Sequence, residues 1–268
     1  MGSVFGQSLR GYRLGIALTA LGLFGVSLLV TYTFEAFGGL EAAQELEDFL
    51  PDSLKALLKA QGGFATDATG FLAADYRHPI YLVPISAFVI ATASGAMARE
   101  IEHGTILVLL ACPIARWRFL LAKAGAMLAG MVILLACAWV GTWVGSVITG
   151  IADEVVMTVF LRVLLNMLVL AMAIGGISLV LSALSSDGGQ TVALAAGISV
   201  TMFFIDFLAV LWSPVETLGF LSVFHYYDPL AIARNGGIPW RDMAVLFGVG
   251  VTGLAAATVI FQRRDISR

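Results

Sequence analysis

PIYLVPISAFVIATASGAMA, residues 79–98, is followed at 99–118 by REIEHGTILVLLACPIARWR. The first stretch runs twenty residues without a charge, about the length an α-helix needs to cross a bilayer. The second opens on Arg99, Glu100, Glu102 and His103, a cluster that belongs outside hydrocarbon. Gly104-Thr105 can then start a helix, because Thr is a good N-cap. Its apolar run, 106–112, has only seven residues before Pro113 stops it, too few to cross back. Such a helix lies at the membrane surface, with an exposed apolar face beside Glu100 and Glu102 that suits a cytosolic partner. Arg116, Arg118 and Lys123 then mark the start of the next crossing.

The remaining sequence agrees with a membrane chain. Of 268 residues, 59% are hydrophobic, 12% are charged and 29 are Gly, with a mean hydropathy of +0.94. Soluble domains carry roughly a quarter charged residues, so an ordinary soluble enzyme does not fit. A net charge of −3 and a pI near 5.6 argue against nucleic-acid binding. Cys112 and Cys137 sit in or beside apolar runs and read as small buried hydrophobes, not as a disulfide or metal framework.

Six apolar runs predict six transmembrane helices, at 14–34, 79–98, 119–149, 163–184, 190–212 and 243–261, in one all-α integral membrane domain covering 1–268. The first follows Arg10 and Arg13, lacks a small-x-small cleavage site and reads as a retained helix. The third reaches about 46 Å at 1.5 Å per residue, so it must tilt or project. With the N-terminus in the cytoplasm, nine of the fifteen basic residues lie inside and six outside. Thirteen of the eighteen acids then lie outside and four inside, with Asp206 within a span. Arg263 and Arg264 follow the last run as a cytoplasmic anchor, so both termini are expected inside.

Two outer segments exceed plain turns. In 35–78, Leu40, Ala43, Leu46, Phe49 and Leu50, then Leu54, Leu57 and Leu58, recur at helical spacing between Glu and Lys faces. They predict two short amphipathic helices, lying on the outer interface or forming a soluble lid. Segment 213–242, with Phe220, Phe224, Tyr226, Tyr227 and Trp240, reads as interfacial or re-entrant.

The 99–123 stretch resembles the signature of ABC type-2 exporter permeases: Glu102-His103-Gly104-Thr105, the leucines 107, 109 and 110, Pro113-Ile114-Ala115-Arg116, and Lys123. The string His225-Tyr226-Tyr227-Asp228-Pro229 and the chain's size are similar to the nitrous oxide reductase maturation permease. The Glu-rich first outer loop is similar to antibiotic-exporter permeases. The family often carries acids further along this helix, whereas 106–110 is purely aliphatic here. The resemblance implies a coupling helix within 99–118, with Arg99, Glu100, Glu102, His103, Gly104, Thr105, Leu109, Pro113 and Arg116 as the ATPase-coupling residues. It implies a homodimer lined by the first, second and fifth spans, working with two copies of a cytosolic ABC ATPase in a bacterial or archaeal cytoplasmic membrane. It further implies that ATP and Mg are held by the ATPase and no cofactor by this chain. The absence of a G-x-x-x-x-G-K-[ST] run agrees. A chain of this kind is a permease and not an enzyme.

Among single residues, Asp206 is the costliest to place. It either lines a translocation path or outer gate, or fixes helix packing through Asn166 or Arg162. Ser199 and Met202 fall on its helical side. Gly11-x-x-x-Gly15 and Gly141-x-x-x-Gly145 permit close helix approach, by default for packing. His103 and His225 lie outside metal-ligand spacing. The rival reading is a self-contained secondary transporter or channel, which would show internal repeats and broken helices in matching positions. A membrane enzyme would need clustered acids, histidines or a nucleophile at one depth. Neither pattern is present.

Overall fold

Runs of Leu, Val, Ile and Ala bounded by Gly, Asp or Arg form helices that outlast their apolar limits, because the flanking charged residues are themselves good helix formers. The computed structural model describes residues 2–51, 55, 65, 67–104 and 115–264, and among these it is all-helical, without a strand. Helix α1 spans Gly2–Ala36, α2 Gly39–Phe49, α3 Ala68–Asp75, α4 Pro79–Ser94 and α5 Ala98–Glu102. Then follow α6 (Arg116–Thr149), α7 (Met157–Leu184), α8 (Gly188–Leu211), α9 (Ser213–Glu216), α10 (Pro229–Asn235) and α11 (Trp240–Arg263). Two 3₁₀ turns, Gly219–Leu221 and Val223–Tyr226, lie between α9 and α10.

Five of these, α1, α6, α7, α8 and α11, are long and apolar enough to cross a membrane. Each begins or ends beyond the apolar run that announces it. The expected second span is shorter than its apolar run. Helix α4 has 16 residues and ends at Ser94, about 24 Å against a hydrocarbon thickness of about 30 Å. Pro79 occupies its first turn, where a missing N–H costs nothing. Pro84 lies inside it and removes one helical bond. A turn at 95–97 then hands over to α5. Of the two amphipathic helices expected in the first outer segment, α2 is present. The one at Leu54–Leu58 lies outside the described residues. Helix α3, read from sequence as loop, buries Leu72 and Ala73.

Helix α7 sits at the centre, packed against α4, α6, α8, α10 and α11. The tightest packing is backbone on backbone. A Cβ on Gly253 of α11 would lie 2.6 Å from the carbonyl carbon of Gly176 on α7. One on Gly141 of α6 would lie 2.5 Å from the Phe24 oxygen of α1. Lipid tails are as apolar as leucine, so spans associate through such close van der Waals contact rather than hydrophobic burial. The Gly141-x-x-x-Gly145 pair thus packs within the chain, against Ser27 and Thr31.

At one end of the bundle, α3 and the 219–236 segment pack over α7. Tyr76 is buried, stacks on Tyr81 at 4.4 Å between centroids, and shares a 2.7 Å hydrogen bond with Thr142. Burial pushes its hydroxyl up to about 12, so it remains a neutral phenol. Tyr227 in turn donates to the Tyr76 carbonyl at 3.2 Å.

Gly253→Leu should separate α7 from α11 and lower stability by about 1–3 kcal/mol, the usual cost of overpacking. Gly248→Ala, whose Cβ would meet nothing within 4 Å, should be neutral or stabilising by up to about 1 kcal/mol. Thermal melts of the purified chain in detergent separate the two, and equal melts would refute backbone contact at Gly253.

Candidate functional site

Polar side chains gather at the two ends of α8, the least buried of the five long helices. At its N-terminal end, Asp187 caps the helix by accepting from the Gln190 N–H at 2.8 Å. The first-turn N–H of Gly188 donates to Glu102 Oε2 at 2.8 Å. A carboxylate here satisfies an orphan donor and faces the positive end of the helix dipole. Gly188 also lets α5 approach, since a Cβ would lie 3.2 Å from that of Arg99. Ser94 at the end of α4 donates to the Gly188 carbonyl at 2.8 Å. Thus α4, α5 and α8 meet at one residue.

Neighbouring charges tie the same rim together. Lys123 Nζ of α6 lies 2.7 Å from Glu100 Oε1. Arg116 donates to the carbonyls of Phe261 at 3.0 Å and Arg264 at 2.7 Å. Arg264 donates to those of Ala183 and Ser185, both at 2.7 Å. Arginines thereby cap the C-terminal carbonyls of α11 and α7. His103 Nδ1 lies 2.7 Å from the Arg99 carbonyl. Gly104 closes α5 with φ +71, the left-handed region where a side chain is strained. This is the reason for glycine at that place in the Glu-x-Gly-Thr string. Thr105, Leu109 and Pro113 lie outside the described residues.

Near the C-terminal end of α8, Asp206 is buried and meets Arg77, which precedes α4. Arg77 Nη2 donates to its Oδ2 at 2.7 Å, and Nη1 donates to the Tyr227 carbonyl at 3.0 Å. His225 Nδ1 stands 3.7 Å from the other carboxylate oxygen. The partner expected from sequence was Asn166 or Arg162, and the structure corrects this. Arg162 bonds the Gly236 carbonyl. Asn166 is fully buried in α7, and neither of its amide atoms has a partner among the described residues. Arg77 was missed because 129 positions separate it from Asp206. The readable signal is its place just before Pro79, at the outer end of a charge-free run.

Between α4 and α8 runs a cleft with two compartments. The inner one, about 190 Å³, is apolar, walled by Leu82, Val83, Ala87, Ile90, Val200 and Phe203, with Ser86 and Ser199. Ser199 spends its hydroxyl on the Ala195 carbonyl at 2.8 Å. The outer one, about 490 Å³, is polar at its mouth, with Arg77, His78, Asp206 and Asp228. Pro79 and Phe203 line both. Met202 does not join Ser199 and Asp206 there; it lines a shallow groove with Leu221.

A family profile described as ABC-2 family transporter protein matches residues 5–266. The chain belongs to the ABC-2 transporter family. No individual curated protein matches it. Membership makes this multi-pass chain a membrane permease of a transport system, not itself catalytic.

Two outcomes follow. In an Arg77→Ala, Asp206→Ala double-mutant cycle the pair should show a coupling of about 0.5–3 kcal/mol, since a buried carboxylate without its partner is destabilising. Additive losses in denaturation would deny the pair. Asp75 has one buried carboxylate oxygen without a partner among the described residues. Burial raises its pKa, partly offset by His78. The folded state therefore holds that proton more tightly than the unfolded one. Wild-type stability relative to Asp75→Asn should fall as pH rises from about 4 upward; a pH-independent difference would be the contrary result.

Proposed function

We propose that this chain is the permease subunit of an ATP-driven exporter. Two copies form the translocation path, and two copies of a separate cytosolic ABC ATPase, holding ATP and Mg, dock on residues 99–118. The observation that carries the reading is the Glu102–Gly188 bond, because a body seated on the 99–118 segment would act directly on α8. Helix α8 is uninterrupted from Gly188 to Leu211 and carries the Arg77–Asp206 pair near its far end, so movement at its inner end has a defined outer target.

Six spans, with both termini in the cytoplasm of a bacterial or archaeal cell, complete the reading. In support, α4 is charge-free and buries Tyr81, Leu82, Ile85, Phe88, Val89 and Ile90 against its neighbours. The bilayer meets its short length by thinning locally, at a modest cost. The homodimer is supported by α1. Gly11, Gly15, Leu18, Gly22, Gly25 and Leu29 share one exposed face, and a Cβ on any of those four glycines would meet nothing within 4 Å. Small residues of this kind let a second helix approach closely.

The test is co-expression with candidate cytosolic ABC ATPases, followed by reconstitution with one that co-purifies. Glu102→Ala removes one bond to a charged group, worth about 1.5–3 kcal/mol, so stimulated ATP hydrolysis should fall roughly tenfold or more. Gly104→Val should act similarly by straining the turn. Failure of any ABC ATPase to co-purify, or undiminished stimulation in both variants, would overturn the reading.

A further inference from the structure

We propose that the α4–α8 cleft binds a cationic amphiphile: a single apolar chain in the inner compartment and a positively charged head at the outer mouth. The inner compartment presents hydrocarbon walls, and its two hydroxyl side chains, Ser86 and Ser199, add no charge. The outer compartment adjoins it, sharing Pro79 and Phe203 as lining residues. An occupant of both is apolar at one end and polar at the other, and lies along the bilayer normal like the lipids around it.

Charge at the mouth selects the head. Arg77 is taken by Asp206 and the Tyr227 carbonyl, so these two charges cancel. The His78 Nδ1 accepts from the Ile80 N–H at 3.2 Å and so caps the start of α4. Asp228 remains. One of its oxygens accepts from the Ala231 N–H at 3.0 Å to cap α10, and the side chain lines the cleft. The mouth is thus lined by two carboxylates, Asp206 and Asp228, against one guanidinium, with His78 on its wall and His225 3.7 Å from Asp206. In this partly desolvated setting an ammonium or guanidinium head gains and a phosphate or sulfate head loses. Within the export reading this names the class of cargo and rests on that reading. Binding itself needs no ATPase, so the two fail separately.

The experiment uses the full chain alone, in nanodiscs of neutral lipid, titrated with a labelled alkyltrimethylammonium and with an alkyl sulfate of equal chain length. Saturable binding of the ammonium, with the sulfate at least about fivefold weaker, is expected. Asp228→Asn keeps the helix cap, since Asn caps as well as Asp, and should weaken the ammonium to the level of the sulfate. Ala87→Phe and Val83→Phe fill the inner compartment from exposed positions that leave helix packing intact, and should abolish saturable binding of both probes. Equal affinity for the two heads, ammonium binding unaffected by Asp228→Asn, or saturable binding surviving both phenylalanines would each overturn the proposal. Loss of ATPase association with probe binding intact would strike the export reading alone.

Discussion

Hydrocarbon offers no hydrogen-bond partner, so every polar group in a spanning bundle must find one within the protein or reach its edge. That constraint divides this molecule into two polar rims and a dry interior. One rim joins Glu102 to α8, Glu100 to α6, and arginines 116 and 264 to the C-terminal carbonyls of α11 and α7. The opposite rim joins Arg77, Asp206, Tyr227 and Tyr76. Between them the helices rely on shape, and the glycine contacts of α1 with α6 and of α7 with α11 bring backbones together.

The sequence made the class of fold plain, because crossing a bilayer leaves a signature in composition that no tertiary contact can hide. Lengths were less legible. Hydropathy marks where hydrocarbon ends, whereas helices end at caps, and Asp187 or Gly150 decides those locally. Helix α4 shows the reverse error: residues 95–98 are apolar enough to extend a span, yet the chain turns there because Ser94 bonds to Gly188. Helix α3 carries no periodic signal, since it is buried on nearly all sides by α2, α7 and α10.

The candidate site was legible where it is local. Glu102 and Gly104 stand out within a few residues of one another, and their geometry explains their types: a carboxylate for a helix N-terminus, a glycine for a left-handed turn. Asp206 was legible as a costly residue but not as the partner of Arg77. A helical wheel gives a direction in its own helix and no information about which of several distant segments lies in that direction. Asn166 illustrates the limit: depth and polarity match Asp206, yet it faces the core of α7 and bonds nothing among the described residues.

The two rims matter together because α8 connects them. From Gly188 to Asp206 is about 27 Å of continuous helix, with polar ties at both ends and a cleft along one side. In the proposed reading a partner at the inner rim shifts the outer rim only to the extent that it favours one position of α8 over another. The Glu102 bond is worth about 1.5–3 kcal/mol, the same order as the coupling expected in the Arg77–Asp206 pair. A lever whose two ends are held by interactions of similar size can be tipped by a partner at either end, and reciprocity then requires that an occupant at the outer mouth alter affinity at the inner one. The scarcity of charge in this chain makes such a balance feasible, since few other polar contacts compete with these two along α8.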